Sequence, residues 1–245
     1  MLDTKALAVG AVAGAAALAL YLHLPKRAEL YHLLYFDARG VSETMRLCMA
    51  AKKIPFTETR YSIKIEGGKP QSSAEHKAAK EAGSFEPNLN RLPVLFVDGK
   101  PLGQSKAIER YICAKHKLLG SGEFEAALVD AFCEHVRDMK DAYQKVRAIA
   151  DADEKKAGMD KYFGETLPDY LNKVEKVTSG NGHAVGSKLT LADICFYVFA
   201  CEFFDNLAGV AAALEGCPKL QSIPPTVKAD PNIAAYLAKR KATPF

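Results

Sequence analysis

The chain has 245 residues, 49% of them hydrophobic, and a formal charge of only +4, a composition that can bury a core and excludes a disordered chain. Its lysines and arginines are spread along the sequence rather than gathered into runs with interleaved aromatics, which argues against a nucleic-acid surface. Six cysteines (Cys48, Cys113, Cys133, Cys195, Cys201 and Cys217) form no Cys-x-x-Cys pair and no metal-ligand spacing with histidine. They read as reduced, packed thiols, with a nucleophile or redox switch as the other reading, and no metal site is expected.

From Ala6 to Leu24 no residue carries a formal charge, and the run is bracketed by Lys5 and by Lys26-Arg27. At about 1.5 Å per helical residue it just reaches across a hydrocarbon core of about 30 Å. Lys26-Arg27 outweigh Lys5, which Asp3 offsets, so an anchored chain would keep its globular part in the cytoplasm. A cleaved signal with small residues around Ala15 to Ala19, leaving a soluble protein, is the rival reading, and an amphipathic or frayed helix the third. Residues 1–28 are therefore set apart as a hydrophobic anchor or signal segment.

Beyond Pro25 the segment Leu30 to Phe36 reads as a strand ending in the turn residues Asp37 to Gly40. A helix over Glu43 to Ala51 follows, with Met45, Cys48 and Met49 on one face, then a second strand over Thr57 to Ile65, which makes a βαβ unit. The stretch Glu66 to Asn90 is polar and reads as a long surface loop with one short helix. Pro93 to Val97 is a short apolar strand, Asp98-Gly99 a hairpin turn, and Lys100 to Leu102 its partner. A helix over Gln104 to Lys115 ends this half.

Lys117 to Glu123 reads as a linker, and the rest as helices. Phe124, Leu128, Phe132, Val136, Met139, Tyr143 and Val146 keep one apolar stripe, and Tyr162 to Val177 keeps another across a kink expected at Pro168. Thr190 and Asp193 make a capping box at the head of a helix, Leu191 to Leu207, that is apolar all round and so belongs at the buried centre. A last helix spans about Pro231 to Lys239. The expected domains are 29–116 and 123–245.

A strand, a helix, a strand, then an apolar strand entered through a proline is the layout of a thioredoxin-like domain. A cis Leu92-Pro93 bond would turn the Leu92 backbone out to pair with an extended peptide, whereas a trans proline at an edge is the ordinary alternative. Gln104-Ser105 stands at a helix start, where the Ser105 N–H and hydroxyl can meet a carboxylate, unless Ser105 only caps its own helix. Tyr35, at the rim of the same surface, carries a phenol that keeps its proton at pH 7 and can donate to a sulfur anion, though a strand-end tyrosine can also be structural.

The run Tyr31 to Gly40, with Glu43 and Arg46 behind it, resembles the opening of the cytosolic glutathione transferases, closest to the sigma class that includes prostaglandin D synthase. Arg91-Leu92-Pro93-Val94-Leu95, Gln104-Ser105-x-Ala107-Ile108, Val129-Asp130-Ala131, Leu167-Pro168-x-Tyr170-Leu171, Leu189 to Asp193 and Pro231-Asn232-Ile233 continue the resemblance in order, over residues 29 to 245. It implies a thioredoxin-like α/β domain followed by an all-α domain, glutathione as co-substrate, and a homodimer. It further implies that Tyr35 meets the glutathione thiolate, that Arg91, Leu92 and Pro93 line the cysteinyl backbone, that Gln104 and Ser105 hold the γ-glutamyl end, and that Asp138 reaches the neighbouring subunit's glutathione. Conjugation or isomerisation of a hydrophobic electrophile is expected, in a cleft walled by Phe36, Met139 and Tyr143. The alternatives are a glutathione-dependent prostanoid isomerase and a membrane-tethered, non-catalytic module.

Two departures stand out. In the sigma class an arginine usually occupies the place of Val41. The chain also has no tryptophan, although the resemblance calls for a Trp and a Lys at the glycyl carboxylate; Lys69, Lys77 and Lys80 are the candidates for that end.

Overall fold

A computed structural model describes residues 29–243 apart from 67 and 68. The segment 6–24, on which the anchor, signal and frayed-helix expectations fall, lies outside the described residues. Among the described residues no helix is long and apolar enough to cross a membrane.

The first half is built on β1 (Tyr31–Phe36), α1 (Glu43–Ala51), β2 (Phe56–Tyr61), β3 (Ile63–Glu66), β4 (Lys69–Ser72), α2 (Ala74–Glu81), β5 (Val94–Val97), β6 (Lys100–Gly103) and α3 (Ser105–Lys115). Four strands form one sheet in the order β2-β1-β5-β6, parallel between β1 and β2 and antiparallel from there on. This is the thioredoxin-like arrangement, since the crossover through α1 makes the parallel pair and the Asp98-Gly99 turn makes the hairpin. Alternation along β1 decides its two faces: Tyr31, Leu33 and Tyr35 join the large core with Met45, Leu95 and Ile108, while Leu34 packs with Tyr61, Phe85 and Val94 under α2.

The single strand expected over Thr57 to Ile65 breaks at Ser62, and its second part pairs with β4 in a separate two-stranded sheet. The stretch expected to be mostly loop is thus occupied by β3–β4, by α2 and by a 3-10 turn, Glu86–Asn88. Strand β4, Lys-Pro-Gln-Ser, carries no apolar alternation, so its pairing could not be read from pattern.

The second half comprises α4 (Glu123–Arg147), α5 (Ala152–Lys161), α6 (Leu167–Val177), α7 (Leu191–Glu202), α8 (Leu207–Ala213), α9 (Pro218–Ala229) and α10 (Pro231–Lys239). Helix α7 is the centre, with every residue from Leu191 to Ala200 buried. Its capping box is present, and the Asp193 carboxylate accepts from the backbone N–H of Thr190 at 2.7 Å and of Ala184 at 2.6 Å. Pro168 lies within a helical run that is irregular rather than broken. It sits in the first turn of α6, and the irregularity falls just before it as a π-helical turn, Tyr162–Thr166. One continuous apolar cluster joins the sheet, α1 and α3 to the helices of the second half.

Candidate active site

Strand register brings the chemistry-bearing residues to one end of the sheet. Leu34 pairs with Val94 and Val94 with Gly103, so continuing the register by one residue sets Tyr35 opposite Pro93, and Pro93 opposite Gln104. On the other side Tyr35 pairs with Arg60. Arg60, Tyr35, Pro93 and Gln104 thus form a row across four strands, at the end from which the β1–α1 loop and α3 depart.

The Leu92-Pro93 peptide bond is cis. Gln104 has a φ of +67°, and its positive-φ turn starts α3 directly behind it at Ser105. The first N–H groups of α3 have no acceptor within the helix, so this corner offers donors to an anion. Asn88 locks the two corners together: its Nδ2 donates to the Pro93 carbonyl at 3.0 Å, and its Oδ1 accepts from the Gln104 N–H at 3.0 Å. Asn88 is nearly inaccessible to solvent, and its role escaped the sequence, where Pro87-Asn88 gives only a turn signal.

Tyr35 lies deeper than a rim residue, with 8% of its surface exposed. Its hydroxyl oxygen accepts from the Val41 N–H at 3.1 Å, which leaves the phenolic hydrogen available for a second partner. Burial pushes the phenol above its usual value, and the Val41 N–H and the Arg46 guanidinium pull it partway back. The group therefore stays protonated at neutral pH. Arg46 is fully buried, with its guanidinium carbon 5.6 Å from the Tyr35 ring centre, and it donates to Ala38 O at 2.8 Å and to Glu58 Oε1 at 2.6 Å.

The expected cleft walls are not where the sequence puts them. Met139 and Tyr143 are buried in the helical half, Tyr143 among Tyr162, Phe163, Phe203 and Phe204. The a/d-like stripe of α4 faces its own core, so the residues with the best helical spacing are the least available to a ligand. Phe36 leans on His76 of α2, with ring centres 5.0 Å apart. Asp138 is exposed on α4, where its side chain makes no hydrogen bond or ion pair among the described residues, and Arg91 is exposed beside the cis bond. Of the three candidate lysines, Lys77 lines a polar cavity of about 520 Å³ with Ser62, Lys64 and Ser73. Ser62 directly follows Tyr61, the partner of Phe36, so this cavity lies off the β2 side of the same sheet end, across from Gln104. Another cavity, about 210 Å³ between α4 and residues 177–186, is formed by other elements and shares no residue with the row.

A thioredoxin-like sheet with a cis-proline corner, a donor-rich helix start and a strand-end tyrosine, followed by an all-helical domain, defines the glutathione transferase fold. Comparison with known proteins agrees. The family model "Glutathione S-transferase, N-terminal domain" matches residues 32–114, and "Glutathione S-transferase, C-terminal domain" matches residues 137–240. Glutathione S-transferase P 10 of Caenorhabditis elegans is 35% identical over 213 residues, covering 86% of this chain and 91% of its own. Glutathione S-transferase 2 of Onchocerca volvulus is 30% identical over 216 residues, covering 86% and 94%. The solved prostaglandin synthase D of Nilaparvata lugens superposes with a TM-score of 0.71 at 26% identity, covering 87% of this chain and all of that one. The chain belongs to the glutathione S-transferase family, and it is a transferase that uses glutathione as co-substrate.

Proposed function

We propose that the Tyr35 hydroxyl donates a hydrogen bond to the glutathione sulfur and so favours the thiolate, which attacks an apolar electrophile. The observation that carries this reading is the Val41 N–H bond to the phenol oxygen: it fixes the hydroxyl at the loop and directs its one hydrogen elsewhere. A hydrogen bond to a charged partner contributes about 1.5–3 kcal/mol. That corresponds to a thiol pKa lowered by roughly one to two units, and the thiolate is the nucleophile. Along the row, the Leu92 backbone beside cis-Pro93 would pair with the cysteinyl unit, with Arg91 flanking it. Gln104 and Ser105 would take the γ-glutamyl carboxylate. Lys77, in the polar cavity off the opposite side of the sheet end, is the basic group we assign to the glycyl carboxylate. Replacing Tyr35 with Phe should lower kcat for conjugation about ten- to a hundredfold while changing the dissociation constant for glutathione little. Unchanged turnover would remove Tyr35 from the chemistry.

We further read the chain as a sigma-class homodimer. The likeness to an insect prostaglandin synthase D supports the class and keeps a prostanoid isomerase as the second reading, to be separated from conjugation by product analysis with lipid and aromatic electrophiles. The exposed, unpartnered Asp138 supports the dimer. Asp138→Ala should raise the KM for glutathione several-fold with sedimentation still reporting two subunits; a monomer, or an unaltered KM, would reject a shared site. An intact row favours an enzyme over a non-catalytic module. Membrane association through residues 6–24, with the enzyme facing the cytoplasm, rests on that segment's sequence. Alkaline extraction of membranes from cells expressing the full chain, beside a chain lacking residues 1–28, tests it: release of the full chain into the soluble fraction would discard the anchor.

A further inference from the structure

The last residues of the described chain are tied to the loop that holds the Tyr35 hydroxyl. Tyr236 and Arg240, in and just after α10, both donate to Glu43 Oε1, the hydroxyl at 3.2 Å and Arg240 Nη1 at 2.7 Å. The same guanidinium nitrogen lies 2.8 Å from Glu202 Oε2 at the end of α7, and Arg39 faces that oxygen at 3.9 Å. Lys241 pairs with Asp37. The other oxygen of Glu43 lies 3.3 Å from Arg46 Nη1, and Arg46 in turn holds the Ala38 and Arg39 carbonyls and sits beside the Tyr35 ring. The side chains of Glu43 and Glu202 are only 2% and 4% exposed.

We propose that Arg240, assisted by Tyr236, is a positioning residue for thiol activation: by neutralising Glu43 and Glu202 it holds Arg46 and residues 37–42, and through them the Val41 N–H on the Tyr35 hydroxyl. This rests on the Tyr35 reading given above. The physical argument is one of compensation. A buried carboxylate that loses its cation must take up a proton or move toward water. Glu43 can do neither without weakening its pair with Arg46, which anchors the loop carbonyls. Arg39, at 3.9 Å and with a freer side chain, replaces Arg240 only at Glu202. Among the described residues, the cations that pair with Glu43 are Arg240 and Arg46.

The test compares the full-length wild type with Arg240→Ala, Arg240→Lys, Tyr236→Phe, Tyr35→Phe and the Arg240→Ala/Tyr35→Phe double variant. The readouts are the ultraviolet absorbance of enzyme-bound glutathione thiolate against pH, kcat and KM at neutral pH, and the thermal midpoint. Arg240→Ala should raise the apparent pKa of bound glutathione by about one unit and lower kcat about tenfold, while KM for glutathione moves less than about threefold. Arg240→Lys should recover most of the loss, and Tyr236→Phe should show a smaller rise of the same sign. In the Tyr35→Phe background Arg240→Ala should add no further shift. A lowered thermal midpoint with the thiol pKa unmoved would make Arg240 merely structural and overturn the proposal. Should Arg240→Ala not fold, an unmoved thiol pKa in Tyr236→Phe would overturn it as well. An unmoved value in Tyr35→Phe would instead bring down the reading of Tyr35, whereas a normal Tyr35→Phe shift with silent Arg240 variants rejects the positioning role alone.

Discussion

At the scale of the residue, the site depends on a glycine as much as on its tyrosine. Gly40 has a φ of +45°, and a methyl group built on it would stand 2.4 Å from the Tyr35 hydroxyl oxygen. The tyrosine cannot yield easily, because its ring is packed on the core face of the sheet beside Arg46. Gly40→Ala should therefore strain the loop and push the Val41 N–H away from the phenol, lowering conjugation rates by about tenfold or more. One lost charge-supporting hydrogen bond contributes on that order. Thiolate absorbance and kcat should change together; a Gly40→Ala enzyme with wild-type thiol ionisation would show that the loop does not set the hydroxyl. Tyr35 was singled out by the family resemblance rather than by its own chemistry, because a phenol at a strand end can as readily be structural. Gly40 could be read only as a turn residue, since its closeness to Tyr35 depends on how the loop returns over the strand. Asn88 was still less legible: its two bonds reach Pro93 and Gln104 from within a turn and follow no sequence pattern.

At the scale of the element, the head of α7 shows how far local rules extend. The Thr190–Asp193 box was readable from four residues, because the spacing alone sets the reciprocal bonds. What the spacing omits is the second use of the carboxylate, which also accepts from the Ala184 N–H and so pins the preceding loop to the central helix. Asp193→Ala removes a cap and strands buried donors at once, and the two losses together should cost about 2–4 kcal/mol of stability. Urea denaturation followed by circular dichroism measures this, with kcat per folded molecule near wild type, because α7 supplies no group to the row. A loss below about 1 kcal/mol would mean that the loop, not the carboxylate, organises this helix. The same contrast explains the misplacements. Periodicity located α1, α3, α4, α7 and α10, whose apolar faces are buried. It missed β4, residues 69–72, which carries no apolar alternation and is held by pairing with β3, and it left unplaced the one short helix expected in that stretch, which the Ser73 side chain caps by accepting from the His76 N–H. The α4 stripe that periodicity read as core, Met139 and Tyr143 included, is buried, whereas the expectation that these two wall a ligand cleft came from the resemblance and finds them packed in the helical half.

At the scale of the whole molecule, the two halves share one interior. Tyr31, Leu33 and Tyr35 of the sheet fall in the same apolar cluster as Phe132 and Val136 of α4 and Phe196 and Phe199 of α7. Hydrogen bonds cross between the halves as well: the Leu191 N–H donates to Leu118 O at 2.8 Å, and Asn232 Nδ2 donates to Ala51 O at 3.1 Å. A thioredoxin-like half made on its own would expose the surface of α1 and α3 that packs against α7, and apolar burial contributes about 25 cal/mol per Å². Residues 29–116 alone should therefore lack a cooperative unfolding transition. The full chain should unfold in a single step, and glutathione should shift that step upward because it binds only the folded row. The chain has no tryptophan, so tyrosine near-ultraviolet circular dichroism reports the core while the far-ultraviolet signal reports the helices. Coincident curves from the two probes are expected. Two separated transitions, or a stable 29–116 fragment that binds glutathione, would mean that the sheet holds its own core and that the helical half contributes contacts to the site rather than the stability on which the Tyr35 geometry rests.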